Sequence, residues 1–357
     1  MTRFGPDVLR GIAVEHIDAL AAGAALLGSG GGGDVALGSH LLRRALAPAG
    51  RRVEVVPAAG LPPGALVVHA GVVGAPDVLA ERLLAPGDLA RAVEAVVGHL
   101  GGDLAAVGVI EIGGLNAVAA VLTAAHLGVP VVDGDLMGRA FPGINQTTAA
   151  VAGHPAAPLA LVGPAADTVV VPAASPAMAE ALIRSCAATM GGAASLAMYP
   201  LTAAVLAAHG VRSSLSACHA LGTAYLTRDP AAGARALAAR LGARLLFEGR
   251  VDEIRPPLAG SPGCTTLTSP DGGATARLDH QEEFLAVTLD GVTVAGTPDI
   301  IVALAVGSGA PLRADQLRPG HSLVLLGLPA LHTWPPGTAA LVGPPAFGLD
   351  LEAVTTP

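Results

Sequence analysis

The chain reads as an α/β protein: a three-layer α/β N-terminal domain followed by a C-terminal all-β barrel-like domain. Three observations predict this. Residues 104–135 run strand, Gly-rich turn, helix, Gly128, Pro130, strand, the order of a βαβ crossover. Helical periods recur over residues 176–190, 200–209 and 214–226. From about residue 245 the texture changes to short alternating apolar and polar runs broken by turn pairs such as "SPDGG". A length of 357 residues favours two domains over one. We place them at 1–240, with its sheet core in 51–172 and the helices of 176–240 packing back on it, and at 241–357.

Taken in order, "VEHIDALAAGAALLG" has a helical apolar period that ends at Gly28, and "ALGSHLLRRALAPAG" resumes the period until Pro48 and Gly50. Four consecutive glycines, Gly30 to Gly33, therefore join two helices. "RRVEVVP" and "ALVVHAGVV" are β-branched runs bounded by Pro and Gly, hence strands, and "DLARAVEAVVGHL" is a helix. The crossover follows, and its two strands must run parallel and finish on one sheet edge. Glu111 ends the first and Asp133 and Asp135 end the second, on the edge where open α/β sheets bind ligands. "ADTVVVPA" adds a further strand. "RLLFEGRVDEI", "HQEEFLAVTLDGVTVAG", "DIIVALAV" and "HSLVLLGLP" supply the strands of the second domain.

Composition excludes several functions. There is no lysine, so all 20 basic residues are Arg, which removes Schiff-base chemistry, pyridoxal-phosphate attachment and the P-loop lysine. A net charge of −8 offers little to a nucleic-acid backbone or an anionic membrane, and a small-molecule partner is expected instead. Apolar residues make up 52% of the chain, yet Gly, Pro or charge interrupts every apolar run before ~18 residues accumulate. The first thirty residues carry Asp7, Glu15 and Asp18 and lack a basic start followed by an apolar block, which predicts a soluble cytoplasmic protein without a signal peptide. Cys186, Cys218 and Cys264 are odd in number and far apart, as free thiols would be; Cys264 falls in a "GSPGCTT" loop.

The glycine run follows a helix and ends in Asp34, whereas a P-loop or a dinucleotide fingerprint follows a strand. It is either a nest of amides converging on an anion or carbonyl oxygen, or a tight turn where helices cross closely, with Asp34 as N-cap. In "VVDGDLMGRAFPGINQTT", Asp133 and Asp135 form either a metal seat or an ion-paired turn with Arg139. Asn145, Gln146, Thr147 and Thr148 suit an amide-like heterocycle, or cap the next segment. No histidine has a partner at metalloprotease spacing; His69, at a strand, and His154, before Pro155, are the candidates for a metal. "GSGGG" lacks the nucleophile elbow, so covalent serine chemistry is not expected.

The glycine run with Asp34, the whole 111–148 segment, "RSCAATMGGAASLAMYP", "HQEEFLAVTLDG" with "TPDIIVAL", and "WPPGTAALVGPPAFGLD" occur in that order. Together they resemble the S-methyl-thiohydantoin desulfurase-like family, whose genes often lie beside those of hydantoinases and oxoprolinases. The resemblance covers nearly the whole chain. It implies desulfurisation of a thiohydantoin ring, a divalent metal expected to be zinc, and motif residues at Asp34, Glu111, Asn116, Asp133, Asp135, Arg139, Glu283 and Asp299. This chain departs from the family pattern at Pro142-Gly143, where Pro-Glu is usual, and at Glu282-Glu283, where Asn-Glu is usual.

The expected reaction is hydrolytic release of sulfide or methanethiol from C2 of the ring. A metal on Asp133 and Asp135, with His69 or His154, would activate water. Glu111, Asp135 or Glu283 would move the proton and Arg139 would orient the substrate. Gly30, Gly31, Gly32, Asp34, Asn116, Gln146 and Thr147 would contact it. The alternatives are a non-catalytic partner of a hydantoinase-type enzyme and a metal-dependent cyclic amidase. A homo-oligomer is compatible with each.

Overall fold

The computed structural model describes residues 8–81, 85–258 and 261–351. A short strand β1 (Gly11–Ile12) precedes the helices α1 (Ile17–Leu27) and α2 (Val35–Leu46), which flank the glycine run as expected. Strands β2 (Val53–Val56) and β3 (Leu66–Gly74) lead to α3 (Pro76–Glu81) and α4 (Pro86–Leu100). The crossover is β4 (Leu104–Val109), α5 (Leu115–Leu127) and β5 (Val131–Val132), continued by β6 (Gly134–Asp135). Then come α6 (Thr148–Val151), β7 (Leu159–Val162), β8 (Thr168–Val171), α7 (Pro176–Thr189), β9 (Ala193–Thr202), α8 (Ala203–His209), β10 (Val211–Arg212), α9 (Ser214–Leu226) and α10 (Gly233–Arg240).

These strands form a mixed eight-stranded sheet in the order β1-β2-β5-β4-β3-β9-β7-β8, with β10 and β6 as a separate two-stranded ribbon. Its middle is parallel: β2 with β5, β5 with β4, and β4 with β3. The crossover therefore places Glu111 and the Asp133–Asp135 turn at one edge. Residues Leu115 to Ala125 of α5 are all buried, so an Ala- and Val-rich sequence with no polar face forms a central helix. The helices α4 and α5 share an apolar core with Val68 and Ala70 of β3, while Ile183 and Ala187 of α7 pack with Val67 on the other face.

The sequence reading missed β9. "AASLAMYPLT" has few β-branched residues, yet it pairs with β3 over almost its whole length and with β7 on the other side. Burial on both faces replaces intrinsic strand preference there. Residues 200–202, expected to open a helix, instead finish this strand, and Thr202 caps α8 by accepting from the Val205 N–H. The first sheet thus draws β1 and β9 from outside the expected core of 51–172.

The second sheet comprises β11 (Arg244–Arg255), β12 (Gly263–Thr268), β13 (Thr275–His280), β14 (Phe284–Leu289), β15 (Val292–Gly296), β16 (Ile300–Ala305), β17 (Pro311–Leu312) and β18 (Ser322–Leu328). It is antiparallel, in the order β15-β14-β13-β12-β11-β18-β16-β17. Among the described residues β15 and β17 share no ladder, so the expected barrel is an eight-stranded sheet whose closure is not seen. A side chain from the first domain meets β16 at Ile301, beyond the short ladder that β16 makes with β17. The Ser29 hydroxyl donates to the Ile301 carbonyl at 2.9 Å and accepts from the Ile301 N–H at 3.0 Å. Ile300, Val302 and Leu304 of β16 join the core built by α1, α2 and α5, and α11 (Ala339–Val342) closes the chain on the opposite face. Cys264, expected in a loop, lies buried in β12 opposite Arg255 and Asp279.

The helices α1 and α9 cross at glycines. A Cβ on Gly222 would overlap the Ala19 carbonyl, and one on Gly23 would overlap the Cys218 carbonyl. Overpacking of a helix crossing costs about 1–3 kcal/mol or more, so Gly222→Ala is expected to lower the unfolding free energy by about 3 kcal/mol. Urea unfolding with an unchanged m-value checks this.

Candidate functional site

The site begins where three turns of bare backbone meet. The glycine run touches the Gly113-Gly114 turn that opens α5: Leu115 N–H donates to the Gly32 carbonyl at 2.7 Å and Gly114 N–H to the Ala24 carbonyl at 2.8 Å. The third turn joins through Ala140 N–H to the Leu27 carbonyl at 3.3 Å. A Cβ on Gly113 would lie 2.7 Å from Ala140 N, and one on Gly32 would lie 2.9 Å from the Gly113 carbonyl oxygen. Gly30, Gly32 and Gly33 also adopt φ of +85°, +75° and +78°, conformations that favour glycine.

The same run receives the second domain. Phe284 N–H donates to the Ser29 carbonyl at 2.6 Å and Ala314 N–H to the Gly30 carbonyl at 2.9 Å. A Cβ on Gly30 would sit 2.7 Å from the Phe284 ring, and one on Gly31 would overlap the Glu283 carboxyl. Glycine here makes room for a carboxyl group. Glu283 is 3% exposed, and its Oε2 has no hydrogen-bond partner among the described residues.

Glu111 comes from the other side. Its Oε1 accepts from Asn116 Nδ2 at 2.6 Å and its Oε2 from Phe141 N–H at 3.3 Å. Asn116 is itself fixed, because its Oδ1 accepts from Val72 N–H of β3 at 2.7 Å. Burial, then the nearby Glu283, pushes the Glu111 carboxyl from 4.5 up to about 8. Burial, then Glu282, does the same for Glu283, also to about 8, against the opposing pull of Arg139 and Arg184. The two carboxyls act as a pair that retains a proton near neutral pH. Both border a cavity of about 440 Å³ with apolar walls including Ile110, Met137, Phe141 and Met198.

The expected metal ligands are not brought together. The Asp133 oxygens accept from Ser216 N–H at 2.9 Å and Ser216 Oγ at 2.6 Å, which ties β5 to α9. Asp135 Oδ2 accepts three backbone N–H groups, from Ile112, Met137 and Gly138, at 3.0, 3.0 and 2.7 Å. His69 Nδ1 bonds the Tyr199 carbonyl at 2.7 Å, and burial lowers its pKa to about 4, so it is neutral. His154 stacks near His209 with ring centroids 5.6 Å apart. Among the described residues no three His, Cys, Asp or Glu side chains gather as a metal seat. Both Asp133 oxygens and Asp135 Oδ2 are taken by these donors, and the one oxygen left without a partner, the buried Asp135 Oδ1, has no second and third ligand beside it among the described residues, so these residues do not fit the group.

Arg139 is 1% exposed and pairs with neither aspartate. It donates to the carbonyls of Ala140 at 3.0 Å, Asp299 at 2.6 Å and Phe284 at 2.8 Å, stapling the second domain to the Asp133–Arg139 turn. Asp299 accepts from Ala330 N–H at 3.1 Å in the same turn. Gln146 accepts from Gly143 N–H and donates to the Leu341 carbonyl, and Thr147 caps α6 through Ala150 N–H. Asp34 caps α2 through Ala36 N–H and lies 3.4 Å from Arg313. Of the expected contact residues, Gly32, Asn116, Glu111 and Glu283 border the main cavity; Gly30 and Gly31 border a neighbouring one of about 340 Å³. Three cavity residues went unread as site residues: Glu282, Glu180 and Arg184. The last two were visible as an i, i+4 pair on a predicted helix, and they bond at 2.5 Å.

Fold and site define a two-domain α/β protein that carries an acid-lined small-molecule cavity at the seam between its sheets. The chain belongs to the S-Me-THD-like family: the profile of the N-terminal domain matches residues 15–173 and that of the C-terminal domain residues 174–356. The boundary between the two matches falls between β8 and α7, so β9 of the first sheet lies in the C-terminal match. A crystal structure of a protein from Chromobacterium violaceum superposes with a TM-score of 0.76 at 26% identity, over 90% of this chain and 92% of that one. No curated protein matches the chain.

Two outcomes follow for stability. A carboxyl harder to ionise in the fold than in the unfolded chain stabilises the fold while protonated and loses that contribution as pH rises through its folded value. Unfolding free energy should therefore fall between about pH 5 and about pH 8, and Glu111→Gln should flatten the fall in pH-resolved urea titrations. Arg139→Met leaves three carbonyls without their donor and should cost at least about 3 kcal/mol; an unchanged denaturation midpoint would contradict the staple.

Proposed function

We propose that this chain hydrolyses the carbon–sulfur bond at C2 of an S-methyl-thiohydantoin-type ring, giving a hydantoin and methanethiol. Membership of the S-Me-THD-like family supports the substrate class. The observation that carries the reaction type is the buried pair Glu111 and Glu283, two carboxyls that border one cavity and that burial makes hard to ionise. Paired carboxyls of this kind serve as an acid and a base.

Their hydrogen bonds divide the roles. Glu111 accepts two N–H groups, which favours its ionised form, and is the base. Glu283 has an oxygen without a donor and keeps the proton as the acid. Glu283 protonates the ring nitrogen while Glu111 takes a proton from water, whose oxygen bonds to C2. The tetrahedral carbon then loses methanethiolate. The proton held by Glu111 passes to sulfur, and the new hydroxyl returns its proton to Glu283 as the carbonyl forms. Atoms balance with one water consumed, and the apolar walls at Met137 and Met198 suit the thioether.

Incubation of the purified protein with S-methyl-thiohydantoin should release thiol, read with a disulfide chromogen. Glu111→Gln and Glu283→Gln should each lower kcat by about 10²- to 10⁴-fold with KM much less affected. Ring opening without thiol release would show C–N hydrolysis and overturn the reading.

A further inference from the structure

The charges that border the main cavity do not balance. Among the described residues four carboxyl groups line it, those of Glu111, Glu180, Glu282 and Glu283, against one guanidinium, that of Arg184. Arg184 is already engaged: its Nε bonds Glu180 at 2.5 Å and its Nη2 the Pro142 carbonyl at 2.8 Å. Arg139 sits behind the wall with three N–H groups on backbone carbonyls, outside the cavity lining. The amide of Asn116, the neutral donor nearest the pair, is spent on Glu111 and Val72. Among the described residues three carboxyls thus have no ion pair, and one of them, Glu283, is 3% exposed with a buried oxygen that no donor reaches.

We propose that this cavity is a receptor for planar cyclic amidinium cations, flat five-membered rings in which a charged N–C–N unit presents two N–H donors to facing carboxyls. A carboxylate accepts paired N–H donors in a plane, and charge-assisted bonds of that kind are about twice as strong as neutral ones. Glu283 offers the acceptor without a donor, Glu111 borders the same cavity, and Glu282 adds a third acidic group on the wall shared with the neighbouring cavity. The apolar side chains Ile110, Met137 and Met198 cover the faces of a flat ring, and the volume of about 440 Å³ admits one with a substituent. A cation between the carboxyls also favours the ionised forms that burial opposes. Neutral rings of the same size, the proposed substrate included, gain none of this, so charge adds to whatever affinity shape provides.

The inference uses the same cavity as the proposed desulfurisation but not its chemistry. Titration calorimetry with 2-aminoimidazoline, a permanent cyclic cation, against neutral hydantoin separates the two. The cation should bind about tenfold tighter or better, and Glu283→Gln should remove that preference. Because a buried substitution can unfold the chain, Glu282→Gln on the open wall is the second variant, expected to weaken the cation several-fold and leave hydantoin unchanged. Equal binding of the two rings, no binding of the cation, or a cation affinity indifferent to Glu282→Gln overturns the proposal. Thiol release from S-methyl-thiohydantoin in such a protein would leave the desulfurisation standing, and cation binding without thiol release would do the converse.

Discussion

Everything at the seam depends on backbone approaching backbone. Between α1 and α2 the chain spends four glycines, and three of them face something a side chain would displace: the Phe284 ring at Gly30, the Glu283 carboxyl at Gly31, the Gly113 carbonyl at Gly32. Only Gly33 faces ordinary van der Waals distance, 3.6 Å to Leu115. Ordering glycine is entropically costly, and the cost is met by contacts made from both sheets at once. The Ser29 hydroxyl bonds β16 at Ile301, the Ser29 carbonyl receives β14, and the Gly32 carbonyl receives α5. One turn thereby fixes the distance between Glu283 of the second domain and Glu111 of the first.

That distance explains why the carboxyls are poised and not merely buried. An isolated buried carboxylate is expensive, and the group protonates instead. Burial thus lifts both groups toward neutrality, and the charge of Glu283 lifts Glu111 further, so that a small difference in surroundings can let one donate and the other accept. Arg139 is close enough to favour their charge, yet its N–H groups are committed to carbonyls. It therefore tempers the pair without neutralising it, and its rigidity holds both ends of the second domain's entry into the site.

Much of this architecture was legible in the sequence. The crossover and the helices around the glycine run followed from periodicity and punctuation, and the strands of the second domain from alternation. β9 was hidden because alanine, methionine and leucine serve a doubly buried strand as well as they serve a helix. Both readings of the glycine run had physical merit, and the structure gives the run to close packing of turns. Glu111 followed from its place at the end of a crossover strand and Glu283 from motif resemblance, but the depth of their burial comes from residues more than a hundred positions apart meeting across the seam, which no local pattern reports.

The acidic turn shows how a sound local inference goes astray. Two aspartates one residue apart after a buried strand do resemble a metal seat, because a cation and a set of amide N–H groups make the same demand on a carboxylate. The turn supplies the amides itself: Gly138, with φ of +75°, curls the backbone so that its own N–H and those of Met137 and Ile112 converge on Asp135. Ser216 does the equivalent for Asp133 from α9. Held through Oδ2 in this way Asp135 anchors backbone, although its buried Oδ1 has no partner among the described residues. A place on the cavity wall, and not the number of acids along the chain, is what separates Glu283 from Asp135.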